Sequence, residues 1–104
     1  MIPTALQSVR FPVEKVTLSE GVEVYVRSLS AGDAELFAKS CENTEDGLPI
    51  AVRLVCLCLC DEKGERVCVD GDEAELAKLP APAIGAMFEV AARLNGLGVS
   101  AEGN

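Results

Sequence analysis

The stretch Leu54-Val55-Cys56-Leu57-Cys58-Leu59-Cys60 runs directly into Asp61-Glu62-Lys63-Gly64. Seven apolar residues favour burial and the next four favour water, so a core element ends here in a surface turn. The switch is repeated downstream, where Arg66-Val67-Cys68-Val69 gives way to Glu73-Ala74-Glu75-Leu76-Ala77-Lys78-Leu79-Pro80. From Ile50 to Cys60 nearly every residue except Arg53 is apolar, a pattern that satisfies a buried helix and a buried strand alike. Length favours helix, and so does Pro49, which suits a first turn because its missing N–H would be unpaired there. On that helix Arg53, Cys56 and Cys60 share the least apolar side, and Leu54, Val55, Leu57, Cys58 and Leu59 pack over the remainder. Each large aliphatic side chain buried contributes roughly 1.5–3 kcal/mol, so this segment anchors the fold.

Upstream, residues 13–27 read as a hairpin. Val22, Val24 and Val26 alternate with Glu23, Tyr25 and Arg27, and Val16 and Leu18 continue the apolar face across the turn Ser19-Glu20-Gly21. Residues 1–12 contain two prolines and no clear period, and are expected to form an extended arm. Ser30 has the chemistry of a helix N-cap, with Asp33 in the first turn, and Ala34, Leu36, Phe37 and Ala38 supply a helical face to about Ser40. Asn43-Thr44-Glu45-Asp46-Gly47 is a polar loop.

Downstream, Asp61 to Gly64 is a turn and Arg66 to Val69 a short strand. Asp72 is expected to cap a helix over Glu73 to Leu79, which Pro80 and Pro82 break. A last helix, about Ala83 to Leu94, carries Ile84, Met87, Phe88, Ala91 and Leu94 at three- and four-residue intervals and stops at Asn95-Gly96. These elements describe an α+β fold, mainly helical, with an N-terminal hairpin packed on three to four helices. The expected organisation is an arm (1–12), a single domain (13–96) and a flexible tail (97–104).

With 104 residues the chain can bury about two-thirds of its unfolded surface. Its four aromatics make stacking on bases hard to arrange, and a net charge of −8 opposes contact with phosphate backbones or anionic lipid. Seven of the seventeen acids fall between Asp61 and Glu75, where they suit a solvated turn and helix start as well as a docking surface for a basic partner. Met1-Ile2-Pro3-Thr4-Ala5-Leu6 has neither the basic nor the apolar region of a signal peptide, and no run approaches the roughly twenty apolar residues of a membrane span. Five cysteines, an odd number, fit a reducing compartment better than a disulfide framework. The expectation is a cytoplasmic protein that engages neither nucleic acid nor membrane.

The chain has no histidine, which removes the usual general base, the commonest metal ligand and every Ser-His or Cys-His nucleophile pair. Carboxylate pairs such as Asp61 with Glu62 and Asp70 with Asp72 sit in turns where no desolvation raises a pKa. No catalytic residue, cofactor site or metal site is expected. Cys56-x-Cys58-x-Cys60 with Cys68 invites a zinc or redox reading, the alternative carried here. Its spacing is poor: on a helix Cys58 faces away from Cys56 and Cys60, and on a strand the three stand about 7 Å apart. An acidic mimic of nucleic acid would place its acids in rows, whereas here they gather at turns and helix starts.

Three stretches carry a resemblance: Val24-Tyr25-Val26-Arg27-Ser28-Leu29-Ser30, a strand feeding a capped helix; Leu57-Cys58-Leu59-Cys60-Asp61-Glu62-Lys63-Gly64, an apolar element ending in an Asp-Glu-x-Gly turn; and Val67 to Leu79, acids before a Leu-x-x-Leu helix. With the final helix ending Leu94-Asn95-Gly96, they resemble the small tail assembly chaperones of long-tailed bacteriophages over about residues 13–96. The resemblance implies a non-enzymatic role in virion morphogenesis. Such proteins bind the tape measure protein, keep it soluble and help recruit tail tube subunits. They act in the host cytoplasm, are absent from the mature virion, and in many phages have a longer frameshifted form. A chaperone of this kind must offer apolar surface while its charge keeps it soluble. Met87, Phe88, Ala91 and Leu94 are the candidate contacts, for self-association as a homo-oligomer or for a tape measure helix; the other reading of these four is plain core.

Overall fold

The computed structural model describes residues 2–42 and 45–97. The fold is α+β: a three-stranded antiparallel sheet in the order β1-β2-β3, with four α-helices among the described residues. β1 (Val13–Thr17) and β2 (Glu23–Arg27) form the expected hairpin, with Val16 opposite Val24 and Glu14 opposite Val26. A 3₁₀ turn over Ser19–Gly21 joins them, closed where the Leu18 N–H donates to the Val22 carbonyl at 2.6 Å. Val16 and Val26 point into the core. Glu14 shares their face at the sheet's edge and accepts a 2.7 Å hydrogen bond from Arg93 at the far end of the chain.

The next helix, α1 (Ala31–Glu42), begins as read, because the Ser30 Oγ accepts the Asp33 N–H at 3.0 Å. Its expected apolar face does not form a buried stripe. No residue of α1 is fully buried, Leu36 is 60% exposed, and Phe37 alone among its large residues packs on the core from a half-buried position.

Both readings of Ile50 to Cys60 apply in succession. α2 (Ile50–Cys58) passes without a loop into β3 (Leu59–Cys60), which pairs with Tyr25 and Val26 of β2. Helix wins where α2 is surrounded on nearly all sides; strand wins where the open edge of β2 offers backbone partners. The side expected to be least apolar is not a wet side. Arg53 is buried with the aliphatic residues, its charge met by Asp46 and its Nε donating to the Leu48 carbonyl at 3.3 Å. Pro49 is the residue before the helix, in extended conformation, rather than a member of its first turn.

The segment from Arg66 to Val69 contributes one bridge, Arg66 to Cys60, in place of the expected strand. α3 is shorter than expected, Glu73–Leu76, and Asp72 does not cap it: its carboxylate accepts the Val69 N–H at 2.9 Å and is engaged upstream. α4 (Ala81–Leu94) starts two residues before the expected boundary. Pro82 does not break it, since a first-turn residue lacks an intrahelical N–H partner in any case. Its end is a Schellman motif: Gly96 at φ +67° donates to the Arg93 carbonyl at 3.2 Å and Leu97 to that of Ala92 at 2.8 Å. The arm is not fully extended, because Thr4–Ser8 form a 3₁₀ turn. Of the expected tail, 98–104 lie outside the described residues, as do 43 and 44 of the polar loop.

α2 is the centre of the core, with α4 against it and the sheet. Leu54, Val55, Cys56, Cys58 and Val26 are the largest fully buried side chains. Small residues at Ala91 and Ala92 let α4 approach closely.

Candidate interaction surface

The four candidate contacts do not form an exposed face. Met87 is 2% exposed and Ala91 0%, both members of the core, while Phe88 and Leu94 pack against it from half-buried positions. Met87 nevertheless reaches a surface feature, the floor of an apolar groove of ≈ 510 Å³. The hairpin tip supplies Leu18, Val22 and Val24, β3 supplies Leu59, the α3–α4 junction supplies Leu76, Leu79 and Pro80, and α4 adds Ala83. Val22 is 51% and Leu79 44% exposed, so large apolar surface stands in water at both the strand and helix sides. A second hollow of ≈ 300 Å³, lined by Pro49, Ala51, Val52, Ala81 and Ile84 among others, meets the first at Leu79.

The groove has a local cause. α3 ends at Leu76, so Leu79 leaves the helical track it would have followed in a longer helix, and Pro80 turns the chain into α4. Glu23 and Glu75 adjoin the lining residues and pair with Lys15 and Lys78 at 3.7 and 3.5 Å, exposed contacts of little energetic weight.

Three comparisons with known proteins bear on this architecture. No family model matches the sequence, and no curated protein does. A solved structure does: the structure of the bacteriophage HK97 tail assembly chaperone superposes with a TM-score of 0.63 at 20% identity, over 86% of this chain and 92% of that chain. The likeness is one of fold. It extends over nearly the whole of the HK97 protein rather than over one local motif.

Two of the stretches quoted from the sequence meet in space. Tyr25 donates to the Glu62 carboxylate at 3.1 Å, and Arg27 donates to the Gly64 carbonyl at 3.0 Å. The Tyr25 phenol is held above its usual range by its hydrogen bond to Glu62. Asp61 organises the turn by accepting the N–H groups of Lys63 and Glu65 at 2.8 and 3.0 Å, bonds that also depress its carboxyl pKa. Gly64 ends it at φ +89°, where an added Cβ would sit 3.3 Å from Val13. Gly64→Ala is therefore expected to cost about 1–2 kcal/mol from the left-handed backbone alone, read as a lowered midpoint in urea unfolding. A midpoint unchanged from the parent would contradict the turn geometry.

Four of the five cysteines, Cys56, Cys58, Cys60 and Cys68, lie in or against the core. Cys56, Cys58 and Cys60 are buried, Cys41 and Cys68 half-buried, and none forms a disulfide. Among the described residues no three Cys, Asp or Glu side chains are grouped to hold a metal ion. Burial pushes the Cys58 thiol up to about 12 and that of Cys56 to about 11, and raises Cys60 and Cys68 as well. Thiols so shifted are poor nucleophiles.

The shifts set an alkaline limit. The unfolded chain releases these protons near 9 and the folded chain holds them, so their contribution is complete below pH 9 and is lost as pH rises toward 11–12. Stability is expected to fall across that window. Native alkylation at neutral pH should label the half-buried Cys41 well before the buried Cys56, Cys58 and Cys60, which mass spectrometry reads directly. Equal labelling of all five would contradict the placement.

Among the described residues no helix is long and apolar enough to cross a membrane.

Proposed function

We propose that this chain is a tail assembly chaperone of a long-tailed bacteriophage, a non-enzymatic protein of virion morphogenesis. The observation that carries the reading is the fold likeness to the HK97 tail assembly chaperone across 92% of that chain. It agrees with the motifs of Val24 to Ser30, Leu57 to Gly64 and Val67 to Leu79. In this role the protein binds the tape measure protein, keeps it soluble and helps recruit tail tube subunits in the host cytoplasm, without entering the mature virion. An open aliphatic groove on an acidic body supports the reading physically. The groove offers burial to the apolar stripe of a partner helix, and a net charge of −8 keeps the protein dispersed while that surface is exposed.

Sequencing the DNA that flanks the reading frame tests the proposal. A slippery heptanucleotide near the Asn104 codon, with an overlapping −1 frame followed by a very long helical reading frame, is the expected result. Metabolic or regulatory neighbours without an overlapping frame would overturn it. Zinc in the purified protein would revive the cysteine-based regulator, the expected content being none.

A further inference from the structure

The acids of residues 61–75 flank an unfinished edge of the sheet. Beyond β3, Arg66 forms a bridge with Cys60, closed on one side where the Asp61 N–H donates to the Glu65 carbonyl at 2.9 Å and on the other where the Val67 N–H donates to the Leu59 carbonyl at 3.2 Å. In an antiparallel pair of this kind the bridging residue turns its own N–H and C=O away from its partner, and alternation gives Cys68 the same outward direction. Among the described residues, the backbone groups of Arg66 and Cys68 make no hydrogen bond. Val67 and Val69 are 56% and 64% exposed. The sequence over 66–69 alternates as a strand does, yet β3 is two residues long and gives it a single bridge.

The two edges of the sheet differ. At the other edge, β1 carries the exposed Lys15 and turns Glu14 inward to Arg93, and both features oppose pairing with a further strand. The edge at 66–69 has no lysine and presents two β-branched side chains. Around it, residues 61–75 hold seven acids against two bases, Lys63 and Arg66. Asp61 and Asp72 accept backbone N–H groups, bonds that leave their negative charge in place. Arg66 pairs with Asp70 at 3.6 Å, and the Asp70 side chain stays 96% exposed.

We propose that residues 66–69 are a docking edge for an extended basic segment of another protein, which adds a strand to the sheet. Main-chain hydrogen bonds to the outward N–H and C=O groups of Arg66 and Cys68 hold the segment, and β-branched residues at its centre cover Val67 and Val69. Lysines or arginines at its two ends meet the carboxylates that flank the edge, Glu65 on one side and Asp70 and Asp72 on the other. The occupant is argued from this charge complementarity and from a strand-forming sequence that lacks an outer neighbour. The inference does not depend on the tail-assembly reading, and the surface is separate from the hairpin–α4 groove.

The test titrates the full, isotope-labelled chain with the peptide Lys-Lys-Val-Thr-Val-Lys-Lys at low ionic strength and follows the amide resonances. Saturable binding is expected, with the amides of Arg66 and Cys68 moving downfield as they gain partners. Val67→Lys and Val69→Lys together, at two exposed positions and checked by an unchanged thermal melt, should weaken binding about tenfold or more. With the parent protein, the same peptide N-methylated at its threonine and the following valine loses a donor from each edge and should be weakened as much. A parent peptide that does not bind, an N-methylated peptide or a folded double variant that binds as tightly as the parent pair, or shifts centred on the hairpin–α4 groove would each overturn the proposal.

Discussion

Ala91→Glu is expected to abolish folding. Ala91 is fully buried at the centre of α4, in the part of the core where that helix meets α2. A glutamate there adds volume to a packed interior and brings a carboxylate into a fully buried site. Overpacking and desolvation together cost about 4 kcal/mol or more, against the roughly 5–15 kcal/mol that stabilises a typical domain. Circular dichroism should show loss of helix, and gel filtration an expanded or aggregated chain. A variant that keeps the native spectrum and melt would mean that this part of α4 faces outward.

The second large effect is expected at the buried cation of the hairpin. Arg27 lies beneath Phe11, donates to the Gly64 carbonyl and pairs with Asp33 at 3.4 Å, yet among the described residues its Nε has no hydrogen-bond partner. Asp33→Ala strips the charge of its counterion where water can scarcely compensate. The expected loss is about 3 kcal/mol, at the low end for a broken buried pair because the Asp33 side chain retains some exposure. Arg27→Met keeps much of the apolar stem, so the double variant should recover a large part of the loss. Urea midpoints for the four proteins of that cycle measure the coupling. A change within about 0.5 kcal/mol on Asp33→Ala would place the pair among surface contacts.

The hairpin and the start of α1 were legible because their determinants are local: valines at every second position, and a serine hydroxyl three residues from the N–H it accepts. The run from Ile50 to Cys60 was ambiguous for a physical reason, since uniform apolarity carries no period. Only the edge of β2, distant in sequence, decides that Leu59 and Cys60 are strand. Pro82 and Asp72 misled because their usual roles compete with alternatives. A proline is tolerated in a first turn, and an aspartate can serve a backbone N–H before the helix as readily as one inside it.

The candidate site was less legible than the fold. Periodicity found the apolar face of α4 but could not tell that α2 covers Ala91. Leu18, Val22, Val24 and Leu79 were missed because the groove joins segments some sixty residues apart. A local signal did exist in Leu76 and Leu79 before Pro80, where a short helix ends with an apolar residue past its last turn. Arg53 looked like a mark of the wet side, yet Asp46 from the preceding loop lets it be buried. Charge partners contributed by loops leave no periodic trace.

The central claim is that this acidic domain holds a partner chain instead of transforming a substrate. It is tested most directly by co-expressing the protein with the tape measure protein that the proposed function expects to be encoded downstream, and measuring the soluble fraction of that protein. Movement of the long protein from pellet to supernatant, together with its co-purification, is the predicted result, with Leu79→Glu reducing both. A long protein that stays insoluble in the presence of the folded chain, or is soluble without binding it, would contradict the account.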